Sequence, residues 1–510
     1  MKRIIFLSGL LTLGLSAHSQ NDVDAIRYSR YGTNGTSRFM GLGGAFGAIG
    51  ADLSCAAYNP AGLALYRKGE ITFSGGLRTT NNEGIINSKS SSISNAGFAF
   101  NNFGILGGWE AKNDKESRNI ISFTNSQTQN FLGKTRMSSY TNNSSIVKDM
   151  LNIANSSGTS LNSFYEDLGY QTYLLDYDSI NNKYTSLVDT KRSVKQTRDL
   201  VTSGRTNELN FSYAYAYKDE FYFGVSLGLP RVEYTSTTTH SEVDDKDSMR
   251  INFTSTSTYT STYLNEPTNL HYDPYYKFRG FNSLTYTEYF KTKGSGINLK
   301  IGGIARVNDN LRLGLYYHTP TIYTLKDEYY NSMSAVFDGD LTNPKNWKDP
   351  KDGGYFNYTI VTPSRISANA AIIVAKIAAI GIDYEMVNYK NASLSSGTVA
   401  DFAGVNAVIK NKYSPGHNIR IGTELNMKPV MLRLGYNMQG SPFGDVFTGS
   451  FVRNSFSVGA GFRTKNNLYF DFVWVKTLSN EDYYFFNTIE QKANIKYNAT
   501  NVSATVGIKF

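Results

Sequence analysis

Residues able to carry covalent or metal chemistry are few and scattered in this chain. The histidines are His18, His240, His271, His318 and His417. They show neither the spacing of a metal-binding helix nor the order of a nucleophile–base–acid triad. Cys55 is the single cysteine, so no intrachain disulfide can form. It reads as a small buried residue, with nucleophilic catalysis the alternative. Glu242, Asp244, Asp245 and Asp247 gather carboxylates that suit Ca²⁺ by type. They lack the spacing of an EF-hand and read as a solvated loop. Gly41 and Gly43 open a glycine-rich run, but Phe46 stands where a dinucleotide fingerprint needs its third glycine. These observations argue against an enzyme and call for no metal and no cofactor.

The elements around these residues point to a membrane. Lys2 and Arg3 precede an apolar run, Ile4 to Leu15, that is shorter than the ~20 residues a spanning helix requires. Ala17 and Ser19 are small residues at the positions that determine cleavage, so residues 1–19 read as a secretory signal peptide. Cys55 is too far downstream to be a lipoprotein anchor. The one later apolar stretch, Ile366 to Ile382, is interrupted by Lys376 and reads as two strands meeting there. Composition favours strands that face lipid: 37 Tyr, 30 Phe and 45 Gly against only 11 Pro. Loss of Lys2 and Arg3 with the leader lowers the formal charge from +9 to +7. Nucleic acid is a poor partner for an exported protein. Attraction to anionic lipopolysaccharide and a merely basic surface both fit.

The last nine residues alternate without a break. Val502, Ala504, Val506, Ile508 and Phe510 share one face, and Ser503, Thr505, Gly507 and Lys509 the other. Lipid can cover such a face in a barrel. A terminal strand ending on an aromatic residue also implies the barrel-assembly machinery as a partner. Similar hairpins turn at Lys218-Asp219, Asn308-Asp309, Lys428-Pro429 and Lys465 to Asn467. Arg306, Arg312, Asp383, Glu385, Arg420, Glu424, Arg433 and Arg463 fall on the faces opposite the apolar ones, as in a wet lumen. A soluble sandwich is the competing reading, and the C-terminal Phe with the aromatic load argues against it. The fold class is therefore all-β, a transmembrane antiparallel β-barrel in the cell outer membrane. Polar stretches 127–205, 231–293, 321–362 and 391–415 are assigned to long extracellular loops. In the first, Ile146, Met150, Leu151, Leu161, Phe164 and Leu168 could line a short helical pair, either packing the loop down or offering an apolar landing site.

Residues 38–64 are rich in Gly and Ala, nearly uncharged, and without strand alternation. Small residues let backbone pack closely in a confined space, so this segment reads as an internal plug. Asn59, Pro60 and Ala61 mark a fixed turn that directs Tyr58 and Leu63 inward. Phe39, Met40, Leu42, Phe46, Ile49, Leu53, Tyr58, Leu63 and Leu65 could line a ligand pocket or simply fasten the plug to the wall. Gly97, Gly104, Gly107 and Gly108 make the most glycine-interrupted early strand, the candidate kink for a sideways exit.

At these residues the chain resembles the FadL/TodX family of outer-membrane transporters of long-chain fatty acids and hydrocarbons. The likeness covers the run Gly41 to Gly50, Asp52, and Asn59-Pro60-Ala61 before the first strand. It continues through Thr362-Pro363 and Arg365, Ile382 to Glu385, Leu432 to Tyr436 with Ser441-Pro442, and the terminal Phe510. The resemblance implies about fourteen strands with an N-terminal lumenal hatch. The domains would then be signal 1–19, hatch 20–68 and barrel 69–510. It also implies passive uptake of a hydrophobic small molecule, a fatty acid or hydrocarbon. Two other roles known for such barrels are a surface shuttle of a secretion system and a haemin-binding receptor.

Overall fold

The period-two alternation builds one closed wall. The computed structural model describes residues 22–111, 114–141, 143–158, 160–249, 280–375, 377–397, 402–444 and 451–510; the leader, His271 and Lys376 lie outside them. The strands in chain order are β1 (Glu70–Ile86), β2 (Lys89–Ala111), β3 (Asp114–Asn130), β4 (Gly133–Thr141), β5 (Asp176–Asp178), β6 (Lys183–Thr185), β7 (Val194–Tyr217), β8 (Phe221–Val243), β9 (Phe281–Arg306), β10 (Leu311–His318), β11 (Ile322–Phe337), β12 (Lys345–Val361), β13 (Arg365–Val374), β14 (Ala378–Asn388), β15 (Ser393–Ser395), β16 (Pro415–Met427), β17 (Val430–Gln439), β18 (Arg453–Arg463), β19 (Leu468–Tyr484) and β20 (Lys492–Lys509). β5 and β6 form a separate small hairpin. The others make an antiparallel barrel of fourteen staves, because β3/β4, β10/β11, β12/β13 and β14/β15 each share one stave. Pairing of β1 with β20, from Glu70–Lys509 to Ile85–Asn494, closes it. Closure leaves no unpaired sheet edge between the first and last strands.

The outer face is apolar at mid-height. Phe73 on β1, Phe211 on β7, Phe223 on β8, Ile301 on β9, Leu315 on β10, Leu434 on β17, Phe472 on β19 and Val502 on β20 are all exposed. Ser503, Thr505 and Gly507 alternate inward on β20 while Val502, Val506 and Ile508 face out, as the sequence pattern requires. An encircling apolar belt on a closed barrel has lipid as its solvent. Inside, Asp383, Glu385, Arg420 and Arg433 are buried, as the alternation predicts.

The loops are shorter than the sequence reading made them. β7 begins at Val194, β8 runs to Val243, β9 begins at Phe281, and 321–362 is largely the hairpin β11–β12. These strands continue the wall beyond the apolar belt. There the outer face meets water and carries Ser, Thr, Tyr and charged residues, so alternation survives only on the inner face, as at Leu284 and Tyr286 on β9 and Met333, Ala335 and Phe337 on β11. The stretch after Asn391 contains β15 and a helix, Ala403–Lys412.

Between β4 and β7 the helices Ile146–Ser157 and Glu166–Gln171 form a pair, the first capped by Ser145 Oγ, which accepts from Val147 N–H at 3.1 Å. Ile146, Met150 and Leu168 are buried in one cluster with Phe281, Met333 and Phe485. For those residues the apolar side packs the loop onto the barrel rim.

Candidate functional site

The segment before β1 lies inside the barrel. It comprises α1 (Asp22–Ser29), α2 (Ser37–Gly41) and two short 3₁₀ turns, Leu53–Ala57 and Pro60–Leu65. The two helices of the rim loop just described are α3 and α4, and Ala403–Lys412 is α5. Side chains of polar residues cap each turn of the lumenal segment. Thr36 accepts from Phe39 N–H, Asp52 from Ser54 N–H, and Asn59 from Ala61 N–H. Asp52 also takes the Thr36 hydroxyl at 2.7 Å, tying the first turn to the second. Asn59 Nδ2 donates to the Gly47 carbonyl at 2.6 Å, so Asn59 closes its own turn and holds a second one. In a site with little water these groups would otherwise be unpaired, at about 1–3 kcal/mol each.

The wall makes room for this backbone with glycine. A Cβ on Gly224 would strike Pro60, on Gly302 Asn59, on Gly381 the Ala45 carbonyl, on Gly422 Leu42 and on Gly435 Gly43. Gly224 pairs with Gly302 across β8–β9, and Gly381, Gly422 and Gly435 are successive partners across β14, β16 and β17. The segment therefore sits in a furrow cut into the inner face.

Buried ion pairs fasten it. Arg38 of α2 donates two bonds of 2.9 Å to Glu424 on β16. Glu424 also accepts from Arg433, which reaches Asp471 at 2.6 Å. Gly47 N–H donates to Asp383 and Arg312 donates to the Ile49 carbonyl. A second cluster surrounds Glu385, which accepts from Arg365, Arg420, Tyr316 and Asn418. A third pairs Lys300 with Glu208 at 2.8 Å, both fully buried; the sequence reading missed it.

Phe39, Met40, Leu42, Phe46, Ile49, Leu53, Tyr58 and Leu63 are all buried in one cluster with Cys55 and wall residues such as Leu106, Ile120 and Ile304. Phe39 lies against Phe46 and Tyr58, with ring centroids 5.5 and 4.5 Å apart. Tyr58 is directed inward and its hydroxyl donates to the Gly32 carbonyl. In the state described, these side chains pack on one another and on the wall. Burial pushes the Cys55 thiol well above its ordinary range.

A cavity of about 620 Å³ lies on the loop side of α1 and is lined by a different set. Asp24 and Arg27 of α1 form its floor; Tyr234, Tyr286, Phe290 and Tyr329 form its wall; Phe164, Tyr165, Phe485 and Phe486 reach it from the loops. Arg27 lies over the Tyr234 ring at 4.2 Å, and Arg198 pairs with Glu288 at 3.1 Å. The signal for this chamber is the alternation Leu284, Tyr286, Glu288, Phe290 on β9, in a stretch read as loop.

The wall beside the segment carries a seam. β2 bulges by one residue at Asn101, between Gly97 and Gly104, where its register with β1 shifts. β3 pairs with β2 only from Asn102 to Ala111. Beyond that point β3 bulges at Gln127–Gln129 and gives way to β4, which pairs with β7 alone. Asn82 of β1 reaches the back of β4, donating to the Lys134 carbonyl at 2.9 Å. Several contacts occupy the seam: Gly32 N–H donates to the Thr128 carbonyl, Gln129 Nε2 donates to the Arg27 carbonyl, and Leu132 lies against Gly97. Gly104 faces Leu53, while Gly107 and Gly108 lie toward the β2–β3 turn.

The three described histidines are separate and engaged. His240 hydrogen-bonds Glu242, His318 the Tyr58 carbonyl and His417 the Tyr384 hydroxyl. Among the described residues no group of three or more His, Cys, Asp or Glu could hold a metal.

No protein-family model matches the sequence, and no curated protein matches it. The fold has solved counterparts. A Pseudomonas aeruginosa FadL homologue aligns over 94% of this chain and 99% of its own, with a TM-score of 0.52 and 12% identity. The Ralstonia pickettii toluene transporter TbuX aligns over 94% and 99%, with a TM-score of 0.49 and 15% identity. The Pseudomonas putida toluene transporter TodX aligns over the same shares, with a TM-score of 0.48 and 11% identity. The barrel described here thus has the fold of the FadL homologue along nearly its whole length.

Proposed function

We propose that this chain is an outer-membrane channel for passive uptake of hydrophobic small molecules. Residues 20–68 act as its hatch and residues 69–510 as its barrel, after removal of the leader. The observation that carries this reading is the arrangement along the lumen. A chamber lined by aromatic rings together with Asp24, Arg27, Arg198 and Glu288 stands on the loop side of a seated plug, and a seam of interrupted strand pairing, packed closed in this state, runs in the wall beside that plug. An apolar solute that has crossed the polar surface layer gains contact with rings in the chamber. It then needs a route that avoids the ion pairs holding the plug. The seam between β2 and β4 offers one, leading sideways into lipid. Transfer of each buried CH₂ to that lipid is favourable by about 0.8 kcal/mol, so no energy coupling is required. The FadL homologue and the toluene transporters that share the architecture support hydrophobic cargo as a class. A fatty acid or a hydrocarbon is the specific cargo proposed.

The packed hatch cluster from Phe39 to Leu63 becomes a ligand site only if the hatch loosens. In this scheme the cluster is a second station after the chamber. The deciding experiment is uptake of a labelled apolar compound into vesicles containing the purified barrel. Leu132→Gly, which empties the seam, should speed uptake, and Gly97→Phe, which fills it, should slow it. Equal rates in both folded variants would remove the seam from the route. No uptake by the wild type of fatty acid or hydrocarbon would end the channel reading.

A further inference from the structure

We propose that the outer face of β8, β9 and β11, just beyond the apolar belt, binds a phosphorylated glycolipid of the surrounding membrane. The proposal takes the membrane setting from the function above and is independent of cargo.

The register places the residues in rows around the barrel. Ile322 and Ile297 face each other at the upper edge of the belt. The next outward row is Arg231, Ser295 and Thr324. The row after it is Arg205, Glu233, Lys293 and Lys326. Then come Lys291 and Glu328. Lys293 and Lys326 are therefore directly opposed on adjacent strands, a like-charge pairing that costs stability unless an anion lies between them. Glu233 offsets part of this through Lys293 at 3.4 Å, but that pair is half exposed and also faces Arg205 across β7–β8. Arg205, Arg231 and Lys291 make no ion pair among the described residues. The cations outnumber the carboxylates in these rows.

Height decides what anion this surface meets. Lys293 is four residues beyond Ile297, about 13 Å along the strand. With a strand tilt near 40° that is roughly 10 Å above the belt, the level of lipid headgroups. Arg231 is half as far up. Lysine side chains can bend down toward the phosphate plane while their stems stay on apolar surface. Two rows above Lys293, Tyr289 and Tyr330 stack with centroids 4.8 Å apart and interplanar angle 17°. Lys348 lies over Tyr330 at 4.0 Å and Lys326 over Tyr355 at 4.7 Å. The rims of these stacked rings lie at the height of the sugar of a glycolipid whose phosphates lie below, between Arg231, Lys293 and Lys326. Acyl chains on the same molecule would continue down over Ile297 and Ile322. Phosphate, sugar and chain thus each meet a matching surface in the order in which such a lipid presents them.

The test is native mass spectrometry of the full barrel in mild detergent, titrated with a bis-phosphorylated glucosamine lipid. A dephosphorylated lipid and inorganic phosphate form the other arms. The wild type should retain the phosphorylated lipid. Lys293→Gln with Lys326→Gln should weaken retention about tenfold or more, and Lys465→Gln at the opposite rim should not. Equal retention of the dephosphorylated lipid, displacement by millimolar inorganic phosphate, or full retention by the folded double variant would each overturn the proposal. The two ligand arms use wild-type protein, so they decide even if the double variant fails to assemble. Lipid retention and vesicle uptake are separate readouts, so this proposal and the channel reading can fail independently.

Discussion

Arg38 should control how often the lumenal segment leaves its seat, and Cys55 can report it. Arg38 is one of the few charged residues of α2 and its flanks, and it spans from the segment to Glu424 with two parallel bonds of 2.9 Å. It also donates to the Ala51 carbonyl at 2.7 Å. Both partners of the ion pair are close to nine-tenths buried. Breaking a buried pair by removing one partner costs about 3–5 kcal/mol when the other charge is left alone. Here Glu424 keeps Arg433 at 2.7 Å, so we take the loss as roughly 2–3 kcal/mol. At 1.4 kcal/mol per factor of ten, Arg38→Ala should raise the unseated population about 30- to 150-fold. Cys55 is fully buried and is the only thiol in the chain, so a maleimide reaches it only from the unseated state. The measurement is the labelling rate of Cys55 in the folded, heat-modifiable barrel at fixed pH. Arg38→Lys, which keeps the charge and loses the bidentate geometry, should fall between wild type and Arg38→Ala. An unchanged rate in Arg38→Ala would refute the idea that this ion pair holds the segment. A wild-type rate matching the denatured chain would refute the burial of Cys55 altogether.

Replacing Asn59 by Ala and Pro60 by Gly together should leave the barrel assembled, because its backbone bonds close without the segment. It should cost the cap about 1 kcal/mol and alter uptake or single-channel conductance. Unaltered values in a folded variant would show that this turn has no part in gating. Deleting Phe510 should reduce the heat-modifiable form on gels, since its ring fills the space over Gly69 and its N–H donates to the Gly69 carbonyl at 3.0 Å. Full assembly without it would contradict a role for the terminal ring in closure. Trypsin on intact cells should cut first near Lys183, beside the 93%-exposed Ile180, and spare the turn at Lys218. Cleavage confined to Lys218 would place the loop end on the inner side of the membrane.

How far the sequence could be read depended on the solvent outside each strand. In lipid, Val502 to Phe510 must alternate, and so the terminal strand, its inward partners and the turn at Lys428-Pro429 were all visible. Above the belt, water lies outside β8, β9 and β11. Thr237, Tyr289 and Glu328 are as acceptable there as any leucine, so the hairpin β11–β12 looked like a loop. The same blindness hid the chamber, whose Tyr286 and Tyr329 stand on those extensions. The plug was legible for another reason. Only a close approach of backbone explains so many Gly and Ala residues between Gly41 and Gly62, and the matching wall glycines could be paired with them only once the register was known. Asn59-Pro60 suggested a turn, but its tie to Gly47 is a contact between turns that local sequence does not encode. The seam was half visible: glycines marked β2, while the interruption itself lies in β3, at residues whose types carry no breaker signal.

The furrow of wall glycines also constrains the order of assembly. Gly224 and Gly302 belong to the middle of the chain, and Gly422 and Gly435 to its last quarter. No early, flat portion of the sheet contains the whole seat. The lumenal segment is made first, yet its berth exists only when the late strands have curled round to face the early ones. It is tethered directly to β1, one of the two strands that must meet to shut the barrel. Docking and shutting are therefore parts of one event. A methyl group added at Gly422 or Gly435 would do more than loosen a plug: it would set the energy of seating against the energy of joining β1 to β20, and leave an unzipped sheet as the product.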